Sequence, residues 1–107
     1  MNSDILNELY ETIIERKKSV DINKDEKSYT KSLFQEGINK ILKKIGEETS
    51  ETIIAAKDAS SGAGAEDYNV LVVEETADLF YHVLVMLAEL DIKYSDIEEK
   101  LDERFKK

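Results

Sequence analysis

VLVVEETADLFYHVLVMLAEL, residues Val70 to Leu90, is the stretch on which the fold turns. On a helical wheel at about 100° per residue its apolar side chains cover most of the circumference. They are Val70, Leu71, Val72, Val73, Ala77, Leu79, Phe80, Val83, Leu84, Val85, Met86, Leu87 and Ala88. A helix apolar nearly all round is buried on several sides. A chain of 107 residues buries a modest core, so the sequence predicts a subunit interface around this helix. The polar residues are few and gathered. Glu74, Glu75, Asp78, His82 and Glu89 fall within about a third of the wheel. Crowded carboxylates repel one another and resist burial unless a cation compensates them. The plainer alternative is that this stripe faces solvent.

The second informative segment runs from Ile38 to about Asp58. Ile38, Ile41, Leu42, Ile45, Thr49, Thr52, Ile53 and Ala56 form an apolar stripe at helical spacing. Glu48 borders that stripe, Glu51 lies one step further out, and Glu47 points further away. Glu48 and Glu51 are therefore expected to face another helix.

Outward from these two segments the chain reads as helices throughout. Asn2 to Lys18 is amphipathic, with Ile5, Leu6, Leu9 and Ile13 in register. Ser19 to Lys27 is polar and is expected to be a loop. Ser28-Tyr29-Thr30 offers hydroxyl caps for a short helix ending near Gln35, and Gly37 kinks or joins it to the next. Ala59 to Glu66 carries turn residues and is expected to be a loop, with Asp67 capping the long helix. Ser95-x-x-Glu98 matches a capping box for a last helix reaching about Phe105. The expectation is an all-α bundle of four to five helices, one domain over residues 1–107, completed by dimerisation. Proline is absent and glycine occurs four times, which agrees with long helices.

Composition excludes several classes. There is no cysteine, so disulfides, thiolate metal sites and cysteine nucleophiles are out. The net charge of -9 is a poor match to a nucleic-acid backbone, though it suits divalent cations. The N-terminus lacks a signal-peptide pattern, and the apolar stretch around Leu79 to Leu90 is too short and interrupted to span a bilayer. The expectation is a cytoplasmic protein that binds neither nucleic acid nor membrane.

Glu48-x-x-Glu51 and Glu75-x-x-Asp78 each set two carboxylates three residues apart, neighbours on a helix surface. Two such pairs facing each other make a four-carboxylate site of hard oxygen ligands, suited to Mg²⁺ or Mn²⁺ rather than Zn²⁺. A cation so held polarises a phosphoryl oxygen and neutralises a leaving pyrophosphate. The spacing alone is common here: Glu8/Glu11, Asp96/Glu99 and Glu99/Asp102 share it. The first two pairs stand apart because they sit in the two most apolar helices. His82 is the only histidine, on the Asp78 face, and is expected to be structural, hydrogen-bonded to a carboxylate. No Glu-x-x-His occurs, which argues against a di-iron bundle. Lys43 and Lys44 either contact phosphates or pair with glutamates, as in Lys44 with Glu48. Lys40 and Lys57 are read as pairing alone. Glu47 and Glu74 are candidates for a general base or supporting group.

At these residues the chain resembles a known family. Ser28-Tyr29-Thr30, Leu33, Gly37, INKILKKIGEETSETIIAAK (Ile38 to Lys57) and EETADLFYHVLVMLAEL (Glu74 to Leu90) look like phosphoribosyl-ATP pyrophosphohydrolase, and LYETIIERKK (Leu9 to Lys18) fits as well. The family belongs to the all-α nucleotide pyrophosphatases, with the pattern Glu-x-x-Glu, a gap, then Glu-x-x-Asp. The resemblance implies Mg²⁺ ligands at Glu48, Glu51, Glu75 and Asp78. It implies hydrolysis of phosphoribosyl-ATP to phosphoribosyl-AMP and pyrophosphate, the second step of histidine biosynthesis. It further implies a helical homodimer and a separate cyclohydrolase chain for the next step. Ser28, Tyr29, Thr30, Lys43 and Lys44 are then candidates for substrate contact. The loop Ala59 to Asp67 is less typical of the family. Two other readings stand beside this one. One is a related enzyme cleaving dUTP or a damaged nucleoside triphosphate, against which Ser28-Tyr29-Thr30 weighs. The other is a helical dimerisation module with a solvated acidic stripe.

Overall fold

Five α-helices and no strand make up the described part of the chain: α1 (Ile5–Lys18), α2 (Tyr29–Glu36), α3 (Ile38–Ser60), α4 (Ala65–Glu89) and α5 (Tyr94–Phe105). The computed structural model describes residues 4–19, 28–62 and 65–106. The expected start of the first helix at Asn2 and Ser3, and most of the expected Ser19–Lys27 loop, lie outside the described residues.

The long helices α3 and α4 pack along each other and form the main pair, with α1 across α4 and α2 across α3. The core lies where α1, α2, α3 and the second half of α4 meet: Tyr10, Ile13, Leu33, Ile41, Leu84, Val85, Leu87 and Ala88 are buried together. Only the second half of the apolar helix is thus enclosed. Its first half is open, with Val70 59% and Val73 68% exposed, and Ile53 and Ile54 of α3 are open as well.

Local chemistry sets the helix ends. Ser28 has extended backbone and its side chain accepts from Lys31 N at 3.3 Å, so it caps α2 as expected. Gly37 joins α2 to α3 at φ 93 and ψ -172, a region essentially reserved for glycine. Helix α4 ends in a Schellman arrangement: Ile92 N bonds Leu87 O at 2.9 Å and Asp91 N bonds Ala88 O at 3.2 Å, with Asp91 at φ 57. Helix α1 clamps that end. Lys17 Nζ donates to Ala88 O at 2.7 Å and to Asp91 Oδ1 at 3.0 Å, and Tyr10 Oη donates to Ile92 O at 2.6 Å. A cation at a helix C-terminus satisfies orphan carbonyls and opposes the helix dipole.

Three local expectations are corrected. Helix α3 runs to Ser60 and α4 begins at Ala65, so the Ala59–Glu66 loop is shorter than expected. Ala59 and Ser60 continue the helix, and Gly62 at φ 80 turns the chain; residues 63 and 64 lie outside the described residues. Asp67 lies inside the first turn of α4 rather than capping it. The Ser95–Glu98 capping box does not form: α5 starts at Tyr94, with Lys93 at the cap position and no side-chain cap. Tyr94 packs beside Tyr10, ring centroids 6.3 Å apart, and this contact draws the helix start ahead of Ser95.

Candidate metal centre

The buried face of α3 is rotated from the expected stripe. Ile41, Glu48 and Ala55 are its buried residues, while Leu42 and Ile53 are largely exposed. Glu48, read from the sequence as bordering the stripe, lies at its centre and is only 6% exposed. The close packing of α3 on α4 then brings Glu75 against it. Glu48, Glu51 and Glu75 each offer a carboxylate oxygen within 4.8 Å of the others. Glu48 is buried, Glu75 half-buried and Glu51 exposed, so the group lies at the edge of the helix pair with one side toward solvent.

The carboxylates are electrostatically unhappy without a cation. Glu48 Oε2 and Glu75 Oε2 are sealed from solvent and have no hydrogen-bond partner among the described residues. An unpaired buried oxygen of this kind is costly. Burial pushes the Glu48 carboxyl up, the charges of Glu51 and Asp78 add to this, and His82 and Lys44 oppose it. The Glu75 carboxyl is pushed up to about 7, first by the hydrogen bond it shares with Glu51, then by burial, then by the charges of Glu51, Glu48 and Asp78. A divalent cation relieves both the repulsion and the missing partners, and an all-oxygen donor set suits Mg²⁺ or Mn²⁺. The residues therefore fit such an ion.

Asp78, the fourth expected ligand, is exposed and stands outside the three-carboxylate group, although its charge acts on both Glu48 and Glu75. Glu74 is exposed and also outside that group. Glu47 is paired with Lys44 at 3.3 Å. This replaces the expected Lys44–Glu48 pair: Glu48 turns inward to α4, leaving Glu47 as the acidic partner on the open side. Lys43 is exposed. Lys44 lies near enough to Tyr29 for its charge to favour the Tyr29 phenolate, against the larger effect of burial.

The start of α2 lies alongside. Tyr29 Oη is 2.8 Å from His82 Nε2, and Thr30 Oγ1 is 2.5 Å from Tyr81 Oη. Ser28 Oγ accepts from Arg16 Nη1 at 3.3 Å. The hydroxyls of Ser28, Tyr29 and Thr30 thus each have a partner within the chain, while the Tyr29 side chain remains half exposed. His82 is buried with both ring nitrogens engaged, and its partners are not the expected carboxylate. Nδ1 bonds the Asp78 carbonyl at 2.8 Å, and the nearest carboxylate oxygen, Glu48 Oε1, is 3.8 Å away. Helical spacing placed His82 on the Asp78 face. No signal in the sequence pointed to Tyr29, which lies 53 positions away.

Comparison with known proteins places the chain in a family. The profile of the family described as phosphoribosyl-ATP pyrophosphohydrolase matches residues 6–105. The phosphoribosyl-ATP pyrophosphatase of Clostridium novyi is 42% identical over 106 residues, covering 99% of this chain and 86% of that protein. The phosphoribosyl-ATP pyrophosphatase of Geotalea daltonii is 47% identical over 105 residues, covering 98% and 88%. A histidine biosynthesis bifunctional protein of Caldanaerobacter subterraneus is 46% identical over 104 residues, covering 97% of this chain and 45% of that protein. With the match running along nearly the whole chain, the chain belongs to the phosphoribosyl-ATP pyrophosphohydrolase family.

Proposed function

We propose that Glu48, Glu51 and Glu75, joined by Asp78, hold Mg²⁺, with Mn²⁺ as a substitute, and that this centre carries the hydrolysis of phosphoribosyl-ATP to phosphoribosyl-AMP and pyrophosphate in histidine biosynthesis. The observation that carries the reading is the pair of buried, unpartnered carboxylate oxygens on Glu48 and Glu75, within a chain whose relatives are named for this activity. When bound, the ion supplies charge neutralisation at the phosphate oxygens and at the departing pyrophosphate.

The chain's own residues do the rest. Glu48 and Glu75 come from two packed helices, so the ligands are positioned before any ion or substrate arrives. Asp78 lies one turn beyond Glu75 and adds charge on the open side. Lys44 and Lys43 lie on the same helix as Glu48 and are the cations available to the phosphates, with Ser28, Tyr29 and Thr30 forming the neighbouring rim. In the reaction, water adds across the phosphoanhydride linking the α- and β-phosphates, and one proton must leave that water. Glu47 and Glu74 are exposed carboxylates beside the cluster and are the candidates to accept it. The open apolar surface on α3 and α4 is the face of a homodimer.

The test is pyrophosphate release by purified protein given phosphoribosyl-ATP, dUTP or ATP, each with and without Mg²⁺. Release from phosphoribosyl-ATP alone, and only with Mg²⁺, is the expected result. Release from dUTP in preference would keep the centre and move the substrate. No release from any of the three would leave the chain a helical interaction module.

A further inference from the structure

His82 is the one buried titratable side chain beside the cluster with no part in the steps above. It is 4% exposed, and both ring nitrogens are engaged. Nδ1 lies 2.8 Å from the Asp78 carbonyl oxygen. A carbonyl only accepts, so Nδ1 carries the hydrogen. In the neutral ring Nε2 is then an acceptor, and the Tyr29 hydroxyl 2.8 Å away donates to it. Nδ1 also lies 3.8 Å from Glu48 Oε1, beyond hydrogen-bond reach, on a carboxylate whose other oxygen has no partner among the described residues. A histidine that merely fills a core needs two partners of any origin. Here one partner is the first residue of α2, another is the backbone of a candidate metal ligand, and the nearest carboxylate is a second candidate ligand. The neighbouring Thr30–Tyr81 bond ties the next residue of α2 to the adjacent position on α4 and holds the same junction.

We propose that Tyr29 and His82 are positioning residues for the metal centre: the Tyr29 hydroxyl fixes the His82 ring, which keeps its Nδ1–H on the Asp78 carbonyl and beside the Glu48 carboxylate. The inference rests on the metal-site reading above. It makes the start of α2 a mechanical part of the cluster, so that a change at Tyr29 is felt as a change in metal affinity. Neither residue touches the ion. Both act through Glu48 and Asp78, as outer partners do in metal sites, where their loss typically costs about 10- to 100-fold in affinity.

The experiment is a Mn²⁺ titration of the metal-free full chain, without substrate, read by the electron paramagnetic resonance of free Mn²⁺. Wild type is compared with Tyr29→Phe, His82→Asn and His82→Gln, and melting temperatures are taken without metal. Tyr29→Phe keeps the ring and removes only the donor. It is expected to fold as wild type and to bind Mn²⁺ about tenfold more weakly, with the Mg²⁺ concentration for half-maximal turnover raised in parallel. His82→Asn retains an N–H near the Nδ1 position and is expected to bind more tightly than His82→Gln. If both His82 variants fail to fold, Tyr29→Phe carries the test alone. Wild-type Mn²⁺ affinity in a folded Tyr29→Phe protein overturns the positioning role and leaves the metal site standing. No Mn²⁺ binding by wild type overturns the metal site itself, and the positioning role with it.

Discussion

Glu75 and Glu48 set how the chain responds to pH and to metal. A carboxyl whose pKa is higher in the folded chain than in the unfolded one holds its proton more tightly when folded. For Glu75, raised from an ordinary 4.5 to about 7, that contribution is complete below pH 4.5 and is lost as pH rises through 7. Metal-free protein is therefore expected to lose stability between pH 5 and pH 8, as read by urea denaturation in chelator, and Glu75→Gln is expected to flatten that loss. Metal reverses the sense. Because the ion displaces the proton, Mg²⁺ affinity is expected to rise with pH across the same window, with proton release measurable by calorimetry in two buffers. The same Glu75→Gln variant is expected to lose at least about a hundredfold in turnover while its metal-free melting temperature stays equal or rises, since a like charge has been removed. Full turnover in that variant would remove Glu75 from the site.

The helices were legible wherever apolar periodicity was strong, and illegible where a tertiary contact overruled a local signal. Ser28 capped α2 as its residue type dictates, its oxygen accepting from Lys31 N and also from Arg16. Ser95 did not cap α5, because Tyr94 is held beside Tyr10. On α3 the expected stripe held Ile41, which is buried, but also Leu42 and Ile53, which are exposed; the buried line runs through Ile41, Glu48 and Ala55. Hydropathy cannot place a glutamate in a buried face; only the convergence with Glu51 and Glu75 explains it. Gly37 is the element-scale test. Space around it is open, with nothing within 4 Å of an added Cβ, so the cost of Gly37→Ala is backbone strain at φ 93 alone. That substitution is expected to destabilise by about 1–3 kcal/mol, measured by urea denaturation. A neutral result would mean the α2–α3 junction is not held in this conformation.

At the scale of the molecule, the apolar surface is larger than one chain can hide. Among the described residues no helix is long and apolar enough to cross a membrane, and the exposed Val70, Val73, Ile53, Ile54 and Phe80 form the surface proposed above as a dimer face. A groove of about 560 Å³ between α3, α4 and α5, lined by Ile45, Leu79, Phe80, Val83 and Leu101 among others, adds to that surface. Sedimentation is expected to give a dimer, and Phe80→Glu to shift it toward monomer; a wild-type monomer at micromolar concentration would count against the interface. The nearly all-round apolar pattern of residues 70–90 implied more apolar surface than one chain covers, and Val70, Val73 and Phe80 are exposed. It could not tell which half of α4 would be covered within the chain, because that depends on where α1 and α2 fold back.

The proposed centre is a divalent cation held by three carboxylates from two packed helices, Glu48, Glu51 and Glu75. Its most direct test is a crystal soaked in Mn²⁺ and measured at the manganese absorption edge. An anomalous peak among the Glu48, Glu51 and Glu75 oxygens is expected, with Asp78 turned toward it. A map with no peak there, or with manganese only on the acidic face of α5 near Glu98, Glu99 and Asp102, would contradict the claim.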